Sequence, residues 1–420
     1  MTRIREFLLE DNRWWREPFQ IEYHEREVYK EIHKFLPLPQ IIALTGLRRV
    51  GKTTLLFKII QDEINNGFNP KNILYFSFDE FRDIDIRVII KEYEKIMGEK
   101  ISDGKHILVF DEIQKLEGWE EKIKRLYDVY SKNIKILISG SESLFIRRKS
   151  KETLAGRLFE FKIDPLTFRE YLSFKGKQFD DPELYERELS ILFEEFMKTQ
   201  GFPELVGIRD EEVIKKYIEE SVVEKVIYRD ILTLASIKEV SVLESILNVI
   251  REQPGQLVEL AEFAKEMKIS RQTLSIYLKY LEDSFLIRKL YNYSHSVRKT
   301  ERKLKKYYPT IVSTKLVFRD EELYRSKLFE STIVNQINAE FFWRDSYKNE
   351  VDVILLNEKP KPIEIKYGGI ETKGIQRFMR KFGVNKGYII SANEEKEITL
   401  TEGRITIIPA YKFLLDQPAS

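Results

Sequence analysis

Short, mainly apolar runs alternate with segments of helical spacing in the first third of the chain. The runs are too short for buried helices and predict strands at Ile41–Leu44, Ile73–Phe76, Ile107–Phe110 and Ile134–Ile138. A helical pattern from Lys52 to Ile60 follows the first run. Strands that alternate with helices predict an α/β fold with a parallel sheet, in which ligands lie at the carboxyl ends of the strands.

Helical patterns dominate the middle of the chain. Residues 167–240 predict a helical lid or connector, and Leu243–Ile250 place apolar residues on one helix face. Leu257–Met267 predict a second helix, and Ser270 is a suitable N-cap for a third. A strand predicted at Phe285–Leu290 completes the order that is typical of a winged helix-turn-helix.

The last part of the chain again mixes a helix with strands. Leu323–Glu340 predict a helix, and apolar patterns predict strands at Phe341–Arg344, Val351–Leu356 and Pro362–Lys366. This order indicates a second α/β region.

A phosphate-binding loop follows the first predicted strand. It fits the Walker A pattern and consists of Gly46, Leu47, Arg48, Arg49, Val50, Gly51, Lys52, Thr53 and Thr54. The glycines let backbone N–H groups wrap around phosphate, and the following helix adds its positive end. We expect the Lys52 ammonium to reach the β- and γ-phosphates and the Thr53 hydroxyl to join a Mg²⁺ shell. The loop therefore predicts binding of ATP with Mg²⁺.

Two acids end the third predicted strand. Asp111 is expected to hold Mg²⁺, directly or through water, and Glu112 to act as general base on the attacking water. Asp79 and Glu80 form a rival pair, which ranks lower because its strand follows immediately after the helix of the loop. Ser139 lies at the end of the fourth strand. Its hydroxyl either orients the attacking water or contacts the γ-phosphate, or the residue belongs to an ordinary turn.

Composition narrows the classes of function. The chain has no cysteine, which excludes disulfides and thiolate metal sites, and its four histidines are scattered. With 71 basic and 69 acidic side chains, any nucleic-acid surface must be a local patch. The start has no apolar run of signal-peptide length, and no stretch approaches a membrane span, so a cytoplasmic protein is expected.

Seven short segments, from the phosphate-binding loop to residue 230, indicate a resemblance to a known family. The chain resembles the archaeal and bacterial AAA-type P-loop ATPases that carry a winged helix and a C-terminal domain similar to PD-(D/E)XK nucleases. The segments that carry this resemblance are Gly46–Thr53, Leu108–Glu112, Leu137–Ser141, Leu154–Arg157, Asp164–Phe168, Gly201–Glu204 and Tyr228–Asp230.

The resemblance implies a division into four domains. These are a P-loop ATPase domain (1–166), a helical lid or connector (167–240), a winged helix-turn-helix (241–300) and an α/β restriction-endonuclease-like domain (301–420). It also implies that Ser139 is a sensor of the γ-phosphate region. Arg157 is then an arginine finger acting on a neighbouring subunit, a phosphate sensor, or an ordinary surface arginine.

The third helix of the predicted winged helix carries candidates for DNA contact on its polar face: Arg271, Gln272, Ser275 and Lys279. A basic run, Arg298–Lys306, follows with six basic residues in nine and is suited to neutralise DNA phosphates. The alternative is a protein-contact or lid module with a solvated basic face.

The C-terminal strands look like a PD-(D/E)XK site. Glu364 and Lys366 are two residues apart and share one face of a strand, Asp352 lies on the strand before, and Glu330 on the preceding helix. The resemblance implies that the acids hold Mg²⁺ and that Lys366 orients a metal-bound water. Because such domains often lose cleavage, an active nuclease and an inactive domain both stay open.

Two functions are compatible with these patterns. The first is an ATPase that hydrolyses ATP with Mg²⁺ and couples its nucleotide state to DNA binding or processing. The alternative is a STAND-like signalling ATPase, in which ATP sets a homo-oligomeric state and an inactive nuclease-like domain contacts a protein partner. Salt-sensitive DNA binding distinguishes the two.

Overall fold

The chain forms two compact units, Met1–Asp164 and Pro165–Pro418. The computed structural model describes residues 2–81, 84–141, 152–232, 237, 239–356 and 358–416. Residues 233–236 and 238 of the predicted connector lie outside this description. The finer boundaries predicted at residues 240 and 300 stay predictions.

The helices of the first unit are α1 (Thr2–Asp11), α2 (Glu27–Phe35), α3 (Lys52–Asn65), α4 (Ile86–Met97) and α5 (Trp119–Tyr130). Those of the second unit are α6 (Phe168–Phe174), α7 (Glu186–Thr199), α8 (Glu211–Lys216), α9 (Val240–Glu252), α10 (Leu260–Glu266), α11 (Arg271–Asp283), α12 (Val297–Arg302), α13 (Thr314–Val317), α14 (Glu322–Gln336), α15 (Lys373–Phe382) and α16 (Ala410–Asp416). Two π-helical segments, Tyr217–Val223 and Val226–Ile231, follow α8.

The strands of the first unit are β1 (Ile41–Thr45), β2 (Ile73–Ser77), β3 (His106–Asp111), β4 (Ile134–Gly140) and β5 (Leu158–Lys162). Those of the second unit are β6 (Gln256–Val258), β7 (Ile287–Asn292), β8 (Lys305–Pro309), β9 (Phe341–Arg344), β10 (Glu350–Leu356), β11 (Pro360–Lys366), β12 (Lys386–Ser391), β13 (Lys396–Leu400) and β14 (Gly403–Pro409).

The first unit contains a five-stranded parallel sheet in the order β2-β3-β4-β1-β5. The four predicted strands are confirmed, and they form its buried middle and the β2 edge. The sequence reading missed β5, because its residues are half-buried or exposed and give no continuous apolar run. The parallel α/β class predicted for this part of the chain is confirmed.

Residues before the first predicted strand cover the β2 edge. The Asn12 side chain donates to the Tyr75 carbonyl at 3.0 Å and accepts from the Tyr75 N–H at 2.7 Å. The indole N–H groups of Trp14 and Trp15 donate to the Ile73 carbonyl at 3.1 and 2.8 Å. These bonds satisfy edge groups that would otherwise pair with another chain.

The second unit contains one nine-stranded mixed sheet, in the order β13-β14-β12-β11-β10-β9-β7-β8-β6. The hairpin of β7 and β8 joins the C-terminal strands because β7 pairs with β9 in parallel, Tyr291 opposite Phe341. The strands predicted at Phe341–Arg344 and Val351–Leu356 therefore belong to the same sheet as the predicted wing. This continuity brings β8 near the candidate nuclease residues.

Two boundaries in the predicted winged helix are wrong. The segment predicted as a helix from Leu257 begins as strand β6, and α10 starts at Leu260 after the Glu259 side chain accepts the Glu262 N–H. The predicted strand at Phe285 starts at Ile287, because Phe285 has a φ of 59° and belongs to a turn. In the described part of the chain, no helix has both the length and the apolar character needed to cross a membrane.

Candidate functional site

The phosphate-binding loop connects β1 to α3 at the carboxyl edge of the five-stranded sheet. Gly46 has a φ of 144°, and a Cβ at this position would lie 2.1 Å from the Ile163 carbonyl oxygen. Gly51 precedes α3 with a φ of 95°, in the left-handed region. Both positions therefore require glycine. Within the loop, Leu47 and Val50 are buried, Arg48 is half-buried and Arg49 is exposed.

The Lys52 side chain folds back into the loop that precedes it. Its ammonium donates to the carbonyl oxygens of Gly46 at 3.0 Å and Leu47 at 2.7 Å, and only 6% of the residue is exposed. Thr54 follows on the first turn of α3 and is exposed. The geometry places one positive charge inside the loop, where a phosphate tail would lie.

Asp111, at the end of β3, is the centre of a buried polar cluster. One carboxylate oxygen accepts the Thr53 hydroxyl at 2.7 Å and the Tyr75 hydroxyl at 3.0 Å, and the other accepts the Ser139 hydroxyl. Burial, and then the Asp111 charge, raise the pKa of Tyr75 above its ordinary value, so the phenol is a neutral donor. The structure thus brings together Thr53, Asp111 and Ser139.

Glu112 is held beside this cluster in a left-handed backbone conformation, with a φ of 53°. Its carboxylate accepts from the Gln114 side chain at 2.8 Å and lies 3.8 Å from the Lys115 ammonium. Lys115 also contacts Asp79, one member of the rival acid pair. The two acid pairs are therefore joined through one lysine, and Asp111 contacts Thr53 directly.

Arg26 is a buried residue that supports the loop from outside the motif. Its guanidinium donates to the Val50 carbonyl at 2.8 Å and to the Asp164 carbonyl at 2.8 Å, and 5% of the residue is exposed. Buried carbonyl groups need such partners, since an unsatisfied one costs about 1–3 kcal/mol. Arg26 is a positioning residue for the loop.

We expect Arg26→Ala to raise the KM for ATP about ten-fold with little change in kcat, because the loop loses rigidity while the reacting groups are kept. Steady-state hydrolysis at varied ATP concentrations measures this. Arg16→Ala, which removes an exposed arginine of the same N-terminal segment, is the control. A fall in kcat at unchanged KM in Arg26→Ala would contradict the positioning role.

Arg157 lies at the other end of β1 from the loop. Its carbonyl accepts the N–H of Ile41, the first residue of β1, and its guanidinium donates to Asp128 at 2.8 Å. Five residues of strand separate it from the loop, roughly 15 Å. A role for Arg157 in phosphate contact stays a prediction and would concern the site of another copy.

The four candidate nuclease residues lie together in the second unit. Glu330 is on α14, Asp352 on β10, and Glu364 and Lys366 on β11, where their side chains are 2.9 Å apart. Burial first, and then the Asp352 charge, raise the pKa of Glu330 to about 7 and that of Glu364 to about 8.

The basic run predicted to neutralise DNA phosphates is partly buried, which corrects that reading for Lys306. Lys306 lies on β8, is 4% exposed and reaches Glu350 at 2.5 Å. Burial lowers the pKa of Lys306, but Asp352, Glu330 and Glu350 outweigh it and raise the pKa above its ordinary value. An ammonium in this place is unavailable to DNA, because a buried lysine bound to a carboxylate cannot reach a phosphate outside.

The candidate DNA contacts share the exposed face of α11. Ser270 caps this helix through the Thr273 N–H, and the exposed side chains include Arg271, Gln272, Ser275 and Lys279, with Ile276 exposed beside them. Beside them lies a groove of about 380 Å³ between α11 and strands β7 and β8, whose lining includes Lys289, Lys303 and Lys305. Some of this positive charge is paired, since Lys279 bonds Asp283 at 2.6 Å and Lys289 bonds Glu282 at 2.9 Å.

Known proteins share sequence similarity with the part of the chain that holds this site. The AAA domain family matches residues 38–172, which hold the loop and the acid pair, and a domain of unknown function (DUF8612) matches residues 191–310. The uncharacterized protein MJ1544 of Methanocaldococcus jannaschii is 30% identical over 404 residues, 90% of this chain and 88% of that protein. The chain belongs to the same family as MJ1544.

Other proteins are similar to this member of the MJ1544 family over shorter or comparable lengths. MJ1637 of the same archaeon is 29% identical over 416 residues, 90% of this chain and 85% of that protein. A Haemophilus influenzae protein is 29% identical over 276 residues, 64% of this chain and 66% of its own length. The AAA-type ATPase domain implied by the resemblance is confirmed by the family match, and the winged helix and nuclease-like domain stay predictions.

Solved structures give weaker similarities. Cdc6p of Pyrobaculum aerophilum has a TM-score of 0.31 at 13% identity, over 76% of this chain and 97% of that one. The S. cerevisiae Hsp104–ADP complex has a TM-score of 0.33 at 14% identity, over 79% of this chain and 46% of that one. TM-scores of this size do not establish a shared architecture.

The sequence reading missed several residues around the site. Tyr75 bonds Asp111, which lies 36 residues later in the chain. Arg26 bonds the Val50 carbonyl, which lies 24 residues later. No local pattern marks either residue. Gln114 and Lys115 lie two and three residues after Glu112, so their closeness to it could have been expected from the sequence.

Proposed function

We propose that the chain binds ATP with Mg²⁺ at the phosphate-binding loop and hydrolyses it, and that the nucleotide state controls DNA binding through α11. The 2.7 Å contact between Thr53 and Asp111 carries the first part, because it puts two hard oxygen donors beside the loop. Those two side chains would hold the ion, which when bound neutralises phosphate charge.

The chain's own groups then have separate tasks. Loop N–H groups and the Lys52 ammonium bind and orient the phosphates, with Lys52 exchanging its carbonyl partners for phosphate oxygens. The Glu112 carboxylate first gives up its contacts with Gln114 and Lys115. It then accepts a proton from the attacking water. Ser139 and Tyr75 donate hydrogen bonds to the Asp111 carboxylate and keep it oriented.

The exposed face of α11 supports the second part of the proposal. Four polar or basic side chains at helical spacing lie beside a groove with further lysines, the arrangement needed to contact a nucleic-acid backbone. For about four phosphate contacts, affinity should fall on the order of 100-fold between 50 and 200 mM salt.

Charge reversal on α11 tests the DNA interface. We expect Arg271→Glu to weaken DNA binding about ten-fold at 50 mM salt, because an attractive contact becomes repulsive. Lys265→Glu makes the same charge change at an exposed position of α10 and should have a smaller effect. Mobility shifts at two salt concentrations, with ATP and with ADP, provide the measurement.

The signalling alternative has its own supporting observation. Lys279 and Lys289 are already paired with acids, so the groove is less positive than its lysines suggest. In that case DNA binding would be absent at both salt concentrations. ATP would instead change the oligomeric state seen by light scattering, and hydrolysis would be slow and insensitive to DNA.

A further inference from the structure

Strand β8 brings a lysine into the C-terminal sheet next to the candidate nuclease residues. Only 5% of the Lys306 side chain is exposed, and its ammonium lies 2.5 Å from Glu350 and 3.9 Å from Asp352. The Phe342 ring covers it at 5.4 Å. A buried ammonium persists only with such partners, because desolvation of an unpaired charge costs several kcal/mol.

Each carboxylate of the acidic cluster (Glu330, Asp352 and Glu364) has one oxygen that contacts a protein donor. Asp352 accepts the Ile365 N–H at 2.9 Å, and Glu330 accepts the Tyr308 hydroxyl at 2.6 Å. One Glu364 oxygen contacts Lys366 at 2.9 Å, and the other is buried with no hydrogen-bond partner in the described part of the chain. A divalent ion would have to compete with these donors for the carboxylate oxygens that bind it.

Space around the cluster is also restricted. A Cβ on Gly255 would lie 2.8 Å from the Tyr308 hydroxyl and 3.0 Å from a Glu330 oxygen, so backbone packs directly on this pair. Within the described residues, no three His, Asp or Glu side chains are arranged to hold one ion. The residues present therefore do not fit the divalent metal that the resemblance to nucleases implies.

We propose that Lys306 is the resident counter-cation of the acidic cluster, which is a lysine-neutralised core rather than a metal centre for DNA cleavage. Charge supports this, since Lys306, Lys366 and Arg344 face Glu330, Glu350, Asp352 and Glu364. The cluster then ties β8 to β10, β11 and α14. This inference is independent of ATP hydrolysis.

Metal titration of the full chain is the first test. The Thr53→Ala/Asp111→Asn double variant removes the ligands proposed for the nucleotide site. In that background we expect the Mn²⁺ binding isotherm to be unchanged by a further Glu364→Gln substitution. One Mn²⁺ bound per chain and lost on Glu364→Gln would overturn the proposal, whatever the result of ATPase assays.

Removal of the lysine charge is the second test. Lys306→Met keeps most of the side-chain length but leaves the carboxylates uncompensated, so we expect Tm to fall by about 10 °C. In the same double-variant background, Mn²⁺ should restore part of this loss, because it supplies the missing positive charge.

Lys361→Met, at an exposed position of β11, is the matched control and should leave Tm and its Mn²⁺ response unchanged. A Tm for Lys306→Met equal to that of the control would show that Lys306 is not the counter-cation. If Lys306→Met yields no folded protein, the loss supports the role of the charge, and the isotherms still decide whether the native cluster binds metal.

Discussion

Lys52→Ala is expected to lower ATP turnover by on the order of 10²–10³-fold, the effect of removing one charged donor from a developing phosphate charge. Lys52 supplies the ammonium that the structure places inside the loop, bonded to the Gly46 and Leu47 carbonyls. Without it, the loop keeps its backbone N–H groups but loses the ammonium that lies inside it. Phosphate release at saturating ATP measures the loss of turnover. Equilibrium binding of a fluorescent ATP analogue measures any accompanying loss of nucleotide affinity.

Lys91→Ala is the control, because it removes an exposed lysine of α4 on the same unit. It should hydrolyse ATP at the wild-type rate. Equal turnover in the two variants and the wild type would mean that hydrolysis does not use this loop, and the proposed ATPase site would be wrong.

Glu112→Gln is expected to bind ATP nearly as well as the wild type and to hydrolyse it about 10²–10⁴-fold more slowly. The amide has the same shape as the carboxylate but cannot accept a proton from the attacking water. Binding depends on the loop and on Asp111, which this change leaves in place. Single-turnover hydrolysis, measured beside nucleotide affinity, separates the two effects.

Glu117→Gln makes the same chemical change at an exposed position five residues further on and should hydrolyse ATP normally. The rival acid pair gives a second comparison. If Asp79→Asn abolishes turnover while Glu112→Gln keeps it, the catalytic base lies in the other pair. Because Lys115 contacts both Asp79 and Glu112, a small effect of Asp79→Asn is expected in either case.

Burial explains which strands of the first unit were predictable. β1, β2, β3 and β4 are buried almost throughout, and such strands give continuous apolar runs. β5 pairs only with β1 at an edge, and its polar residues face outward. Its place in the sheet depends on a parallel pairing more than 100 residues away in sequence, which no local pattern records.

Some residues of the candidate site could be predicted from the sequence, and others could not. Gly46 and Gly51 to Thr53 are neighbours in the chain, so their phosphate chemistry can be read from the motif. The pairing of Thr53 with Asp111 follows from two parallel strands ending at one edge. Arg26, in contrast, acts on the loop through carbonyl groups of Val50 and Asp164, which carry no side-chain signature.

Local sequence was sufficient for the phosphate-binding loop and the buried strands, because both arise from residues adjacent in the chain and from their apolar or glycine character. Tertiary structure alone decided the role of Lys306, which reads as part of a basic run in the sequence. The pairing of β7 with β9 continues the hairpin into the C-terminal sheet and buries this lysine against Glu350 and Asp352. Which charges meet in a low-dielectric interior depends on strand order, and strand order is a long-range property.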